Sequence, residues 1–325
     1  MKTLFLALLL GTSAVAQPFI GPEVKSAPIG ALGDAAVLPY GDGYLLAWSD
    51  GNQINVGHLD AALHEIDIPF AFKFGQSTSV SSITLAATGR SVLVAWNQVG
   101  ATYAVTLTPD AKSILAPPQR INATPYPPAA GSRDGRYVLI SGDELLVLSD
   151  DLATQTTEPI PPAISATVSP SGEAGTLSVV IGSTACRGGG CRSCFPTCST
   201  LESFTFKTPS VTRDLPIAYG PTVGGKAPIH DPIIAANGDR FLGLAVTDQG
   251  TDVFELLPDR RGETWALPVL LPPAIIALAG NGSVGLFVSS SGSFLKGTLL
   301  YPDGTTSQPF DIAQIAYAPK VLVAS

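Results

Sequence analysis

Reactive side chains are few in this chain of 325 residues, and most of them sit together. All four cysteines fall within Cys186-Arg-Gly-Gly-Gly-Cys191-Arg-Ser-Cys194-Phe-Pro-Thr-Cys198. Thiols at this density offer two chemistries. In an oxidising compartment Cys186, Cys191, Cys194 and Cys198 form two disulfides, which staple a Gly-rich segment that cannot build a core of its own. In a reducing one, four thiolates could hold zinc. The Cys-x4-Cys-x2-Cys spacing also matches part of an iron–sulfur ligand set, but that set takes its fourth ligand far downstream. Phe195 in place of His after Cys194 removes the haem-attachment pattern.

Histidine occurs only at His58, His64 and His230, in no metal-ligand spacing, and no Gly-x-Ser-x-Gly elbow is present. His58 and His64 flank a turn and are expected to be exposed, and His230-Asp231 reads as a capping pair. Carboxylates need no local motif, only a separation in space, so a pair of them acting on a polysaccharide stays open as a hydrolase or lyase reading. Asp50, Asp143 and Asp248 draw attention because they recur in equivalent turns, where turn geometry itself favours Asp.

The amino terminus decides the compartment. Met1-Lys2, the apolar run Leu4 to Leu10 and Ser13-Ala-Val-Ala16 have the three regions of a secretory signal, with cleavage expected after Ala16. Seven core residues are far too few to cross a bilayer, and no later run is long enough. Residues 1–16 are therefore read as a leader, and 17–325 as one domain outside the cytoplasm, secreted or periplasmic. Export favours disulfides over metal, so no cofactor is expected. Lys plus Arg number 18 against 26 Asp plus Glu, a net charge of -8, which argues against a nucleic-acid partner.

Stepping outward to the elements that carry these groups, Gly and Pro account for 33 and 28 residues, and they punctuate a repeat. The unit reads apolar run, Gly turn, apolar run, small polar turn, alternating run, Pro/Asp turn, short run. The first copy is Ala35 to Pro39, Tyr44 to Trp48, Ile54 to Leu59 and His64 to Pro69. Its second strand is echoed by Val92 to Trp96, Tyr137 to Ile140, Phe241 to Val246 and Val284 to Val288. Gly43, Gly89, Gly135, Gly238 and Gly282 stand 46, 46, 103 and 44 residues apart. The longest interval hides a fourth copy, with Leu177 to Ile181 and Leu201 to Phe206 as second and third strands and the cysteines between them, a Cys-rich insertion over 182–200.

Four short strands per unit at a period near 45 predict an all-β fold, a β-propeller. Six copies are complete. Ile312 to Tyr317 and Val321 to Ala324 make half a blade, and Phe19 to Ile29 could supply the rest, giving seven four-stranded blades with the last closed by both termini. Six blades with frayed ends is the alternative. Trp48 and Trp96 end equivalent strands and are expected to pack between blades.

The repeat carried by Gly43-Tyr-Leu-Leu-Ala-Trp48-Ser-Asp50-Gly51 resembles that of secreted bacterial β-propeller proteins. The resemblance is architectural and implies no catalytic residue. In such a fold, turns between second and third strands surround the mouth of the central channel on one face. That face would carry Asp50, Asp143, Asp248 and the insertion with Arg187, Arg192 and Phe195. We therefore expect a monomeric binding protein whose partner, a protein or glycan, meets this loop-bearing face; an envelope scaffold with no small ligand is the remaining reading.

Overall fold

The computed structural model describes the backbone of residues 5–8, 32–50, 53–62, 64, 66–73, 80–160, 163–168, 175–183, 198–207, 210–213, 230–237, 240–247, 250–256, 264–267, 275–280, 284–291, 293–301, 303, 305–314 and 321–324, and side chains mainly over 34–160 and 284–312. The described residues form six four-stranded antiparallel sheets, each a simple meander, and one two-stranded pair.

Strand β1 (Phe5–Leu8) comes first. The sheets follow in chain order: β2 (Leu32–Tyr40), β3 (Gly43–Asp50), β4 (Gln53–Leu59) and β5 (Phe70–Lys73); β6 (Ser81–Ala87), β7 (Val92–Gln98), β8 (Ala101–Leu107) and β9 (Ile114–Asn122); β10 (Ala129–Arg133), β11 (Arg136–Ser141), β12 (Glu144–Leu148) and β13 (Thr154–Pro159). The fourth holds β14 (Ala163–Val168), β15 (Gly175–Ser183), β16 (Cys198–Lys207) and β17 (Ser210–Arg213). The fifth holds β18 (His230–Asn237), β19 (Arg240–Thr247), β20 (Gly250–Leu256) and β21 (Thr264–Leu267). The sixth holds β22 (Ile275–Gly280), β23 (Gly285–Ser291), β24 (Phe294–Leu300) and β25 (Phe310–Gln314), and β26 (Val321–Ala324) ends the chain.

The first strand of each sheet contacts the first strand of the next, from β2 through β6, β10, β14 and β18 to β22. Strand β26 touches both β22 and β2. Its hydrogen-bonded partner is β1, in parallel, with Phe5 opposite Val321 and Leu8 opposite Ala324.

The apolar runs are nearly continuous because middle strands are buried on both faces. Along β7, Val92, Val94 and Trp96 pack with Leu45, Ile54, Val56 and Phe72 of the first sheet. The alternate residues Leu93 and Ala95 pack with Tyr137, Leu139 and Leu146 of the third. Side-chain period 2 thus sends successive residues into two different intersheet layers. Each Val or Leu so buried contributes about 1.5–3 kcal/mol. Small residues on one side, Ala86, Ala95 and Ala104, sit opposite large ones, Tyr137 and Leu139, which keeps the layer filled. Trp96 is fully buried, stacked on Tyr103 at 5.9 Å between ring centroids, and Trp48 is buried as well, as expected for packing residues.

Outer edges are blunted. Strand β9 carries Pro117 and Pro118, which cannot donate to an added strand, and β13 is the polar run Thr-Gln-Thr-Thr-Glu-Pro.

Three strand assignments made from sequence shift. The fourth strand of the first sheet is Phe70–Lys73, not His64 to Pro69. The His64 to Pro69 segment instead forms a tight excursion closed by bonds from Asp60 N to His64 O and from Ile66 N to His58 O, each 3.0 Å. Ile312 does not open a half blade, because Phe310–Gln314 pairs with β24 as the fourth strand of the sixth sheet. The strand facing β26 is Phe5–Leu8, within the stretch read as a leader, whereas residues 19–29 lie outside the described ones.

Candidate functional site

Each sheet has two ends, and the chain treats them differently. At one end lie the turns between first and second strands and between third and fourth strands. The latter share one construction. Thr108-Pro-Asp110 is closed by Ala111 N donating to Thr108 O at 2.7 Å, with the Thr108 hydroxyl and Lys112 N donating to Asp110 Oδ1 at 2.5 and 3.2 Å. Asp151 accepts from Ser149 and from Ala153 N, and Asp303 accepts from the hydroxyl and N–H of Thr305. Asp60 accepts from Ala62 N and His64 N. These donors hold the carboxyls of Asp60, Asp110, Asp151 and Asp303 below the usual carboxylate range: chiefly the His64 N–H for Asp60, and the hydroxyls of Thr108, Ser149 and Thr305 for the other three.

The same end fastens neighbouring sheets. The Tyr40 hydroxyl donates to Pro109 O at 2.8 Å, and Lys112 Nζ lies 3.0 Å from Asp67, which His58 Nδ1 approaches at 3.3 Å. His58 is therefore partly buried in an intersheet contact, not exposed as its sequence position suggested; His64, paired with Asp60, is exposed. Burial acts to raise the Asp67 carboxyl, but bonding to Lys112 and the His58 charge outweigh it and leave it lowered. Between the second and third sheets, Asp150 collects the hydroxyls of Ser91 at 2.5 Å and Thr88 at 3.2 Å, with Arg90 Nε at 3.3 Å. Ser91 Oγ also meets the Tyr137 hydroxyl at 2.6 Å, and Arg90 reaches Gly135 O at 2.8 Å. A serine, a carboxylate and a tyrosine converge here, yet each bond runs from one sheet to the next, so the groups act as a fastening.

At the other end lie the turns between second and third strands and the crossings from sheet to sheet. Buried Asn97 donates through Nδ2 to Thr124 O at 2.7 Å and Tyr126 O at 3.1 Å, pinning the crossing into the third sheet. Ser141 Oγ donates to Thr102 Oγ1 at 2.8 Å, and Asn122 donates to Ser141 O and Glu144 Oε2. First strands bulge at this end. The pairing of β2, β6, β14, β18 and β22 each slips near its start, so the strands bend at a recurring position along the series of first strands.

Of the residues singled out from sequence, Asp50 ends β3 and Asp143 occupies the β11–β12 turn, both exposed, at this same end. Asp248, Arg187, Arg192, Phe195, Cys186, Cys191 and Cys194 lie outside the described residues. Cys198 opens β16, its Cα opposite Ser183 of β15. His230 opens β18 opposite Val246. Among the described residues no group of three or more His, Cys, Asp or Glu is placed to hold a metal, and no helix is long and apolar enough to cross a membrane.

One residue at this end escaped the sequence reading. Val99 is exposed at 76% and sits at φ +52°, in the left-handed region that β-branched residues avoid. Its only sequence signal was an apolar residue inside the turn Asn97 to Gly100.

Comparison with solved structures agrees on architecture. The chain is similar to the β-propeller domain of the trilobed protease from Pyrococcus furiosus, with TM-score 0.52 at 6% identity over 87% of this chain and 83% of that one. It is similar to a streptogramin B lyase, with TM-score 0.53 at 14% identity over 90% and 87% of the two chains. A complex of KlAtg21 with the coiled coil of AgAtg16 gives TM-score 0.55 at 10% identity over 84% and 81%. The fold is thus propeller-like, all-β and built from repeated four-stranded sheets. No family model matches the chain, and no curated protein matches it in sequence.

Proposed function

We propose that the chain is an exported β-propeller that binds a protein or glycan partner through the end bearing its second-to-third strand turns. The observation that carries this reading is the asymmetry of the two ends. At the fastening end, the carboxylates of the third-to-fourth strand turns and of Asp150 are held by bonds within turns and between sheets. At the other end, Asp50 and Asp143 face solvent, and the β15–β16 ladder runs to Ser183 and Cys198, between which the insertion falls in the sequence.

The contacts of β26 with both β22 and β2 support a ring of seven positions, six of them full sheets. After cleavage behind Ala16, residues 19–29 would complete the seventh beside β26. The four cysteines close two disulfides within the insertion, presenting Arg187, Arg192 and Phe195 on a rigid arm. The mature protein is a monomer outside the cytoplasm.

The test replaces residues 186–198 with a Gly-Gly turn and compares cross-linked partners of the two secreted proteins in the producing cell. Loss of the partners, with unchanged thermal unfolding, supports the arm as the binding element. An identical partner set shows that the insertion does not bind. Mass measurement with and without reductant counts the disulfides.

A further inference from the structure

Strand β26 touches the first strands of both the sixth and the first sheet, β22 and β2, and each of those sheets turns an apolar face toward it. In the first sheet, Leu45 and Ala47 of β3 pack with the second sheet, so their neighbours Tyr44, Leu46 and Trp48 point the opposite way. In the sixth, Gly285 lies opposite Leu300 as Val92 lies opposite Leu107 in the second, which matches Leu286 and Val288 with Leu93 and Ala95. Leu93 and Ala95 face the following sheet, so Leu286 and Val288, clustered with Leu295 and Leu299, face the place that follows the sixth. All seven residues on these two faces are 9% exposed or less. The place of β26 is therefore packed, not open to water.

The pairing of β26 sets it apart. Each of the six other first strands pairs antiparallel with the second strand of its own sheet. Strand β26 pairs with β1, in parallel and over four residues. A meander needs an antiparallel neighbour at this edge, and parallel pairing is slightly weaker per residue. The chain holds a second claimant. Residues 17–31 run directly into Leu32, where β2 begins, and β2 touches β26, so the end of that segment is fixed beside the same edge. It carries Phe19, Ile20, Val24 and Ile29 to meet the apolar faces. One edge presents one row of N–H and C=O groups, so it takes one strand at a time.

We propose that β1 and residues 19–29 are alternative partners of the β26 edge: the leader strand holds it in the precursor, and cleavage behind Ala16 releases it to the mature amino-terminal segment. This exchange rests on the reading above that residues 1–16 are a leader and that 19–29 complete the seventh position. Leader removal is then also the step that lets the last sheet form, and an uncleaved chain stays incomplete there.

The test places the photo-cross-linker p-benzoylphenylalanine in turn at Leu322 and at Val323, which lie on opposite faces of β26. Two full proteins are refolded side by side and irradiated, and the cross-linked peptides are identified by mass spectrometry. One is the mature chain, and the other is the precursor with cleavage blocked by Ala16→Trp, which removes the small residue before the cut. The precursor cross-links to residues 5–8 and not to 19–29; the mature chain cross-links to 19–29. Leu6→Pro, which takes a donor from β1, moves the precursor to the mature pattern. A precursor that cross-links to 19–29 as the mature chain does overturns the exchange and leaves closure by 19–29 standing, as does a Leu6→Pro precursor that keeps the parent pattern. A mature chain that cross-links at neither position to 19–29 overturns that closure, and the exchange with it.

Discussion

Ser91 Oγ and the Tyr137 hydroxyl lie 2.6 Å apart, joining the start of the second strand in one sheet to the equivalent strand of the next. Both side chains are fully buried, and Ser91 also bonds the Asp150 carboxylate. With Arg90 on Gly135 O at one end and Ser141 on Thr102 at the other, the contact adds polar ties to two sheets that also meet through an apolar layer.

Ser91→Ala and Tyr137→Phe each leave buried polar groups short of a partner and should cost about 1–3 kcal/mol. Urea unfolding of both single variants and the double variant measures the coupling. The double variant should lose less than the sum, since one bond is counted twice; strict additivity would show that the two groups act independently.

Alkaline pH should loosen the same contact. Burial, above all, pushes the Tyr137 hydroxyl up to about 12, with Asp150 adding to it and the Ser91 bond opposing. In the unfolded chain tyrosine loses its proton near pH 10, while the folded protein keeps it until about 12. Between those values the unfolded state binds fewer protons, so stability falls as pH rises; the contribution is whole below 10 and gone above about 12. The total is about 2–3 kcal/mol. Unfolding midpoints across this window should fall more steeply for the parent than for Tyr137→Phe; parallel curves would contradict the assignment.

At the opposite end, Asn97→Ala should destabilise by about 1–3 kcal/mol, because the carbonyls of Thr124 and Tyr126 lose a shared donor. Asn97→Asp tests the direction of those bonds. A carboxylate facing two carbonyl oxygens should be worse than alanine in thermal unfolding. An aspartate variant as stable as the parent would mean that the amide does not donate there.

Two glycines separate strain from crowding. Gly41 and Gly142 have φ of 58° and 65°, so alanine at either meets the left-handed penalty of about 1 kcal/mol. An added Cβ finds nothing within 4 Å at Gly41 but collides with Thr124 at Gly142. Gly142→Ala should therefore be clearly the less stable of the two, and Gly142→Ala with Thr124→Ala, which removes the hydroxyl nearest the added Cβ, should recover part of the difference. Equal melting temperatures would rule out the collision.

Much of the fold was legible because its signals are local. Tyr44 to Trp48 and Val92 to Trp96 were recognisable as strands from their own residues, and Thr108-Pro-Asp110 as a turn from proline and aspartate chemistry. The outer strand at Phe70–Lys73 was misplaced onto His64 to Pro69. Outer strands are short and half exposed, so their apolar pattern is weak, and pairing with β4 alone selects the register. The site was less legible still. Asp50 and Asp143 could be placed at one end from strand order, but Val99 looked like an ordinary turn residue until its dihedral angle and exposure were known.

The sequence by itself determined the strands, their order and the turn chemistry, since each depends on residues within a few positions of one another. Tertiary structure alone decided which copies touch. Ser91 meets Asp150 across 59 residues, and Asn97 reaches the carbonyl of Thr124 across 27. Such meetings depend on how sheets stack through their apolar faces, and one face of β7 must pack with the first sheet while the other packs with the third. That stacking separates an end where the carboxylates of the third-to-fourth strand turns are spent on bonds from an end where Asp50, Asp143 and a strained valine are left facing water.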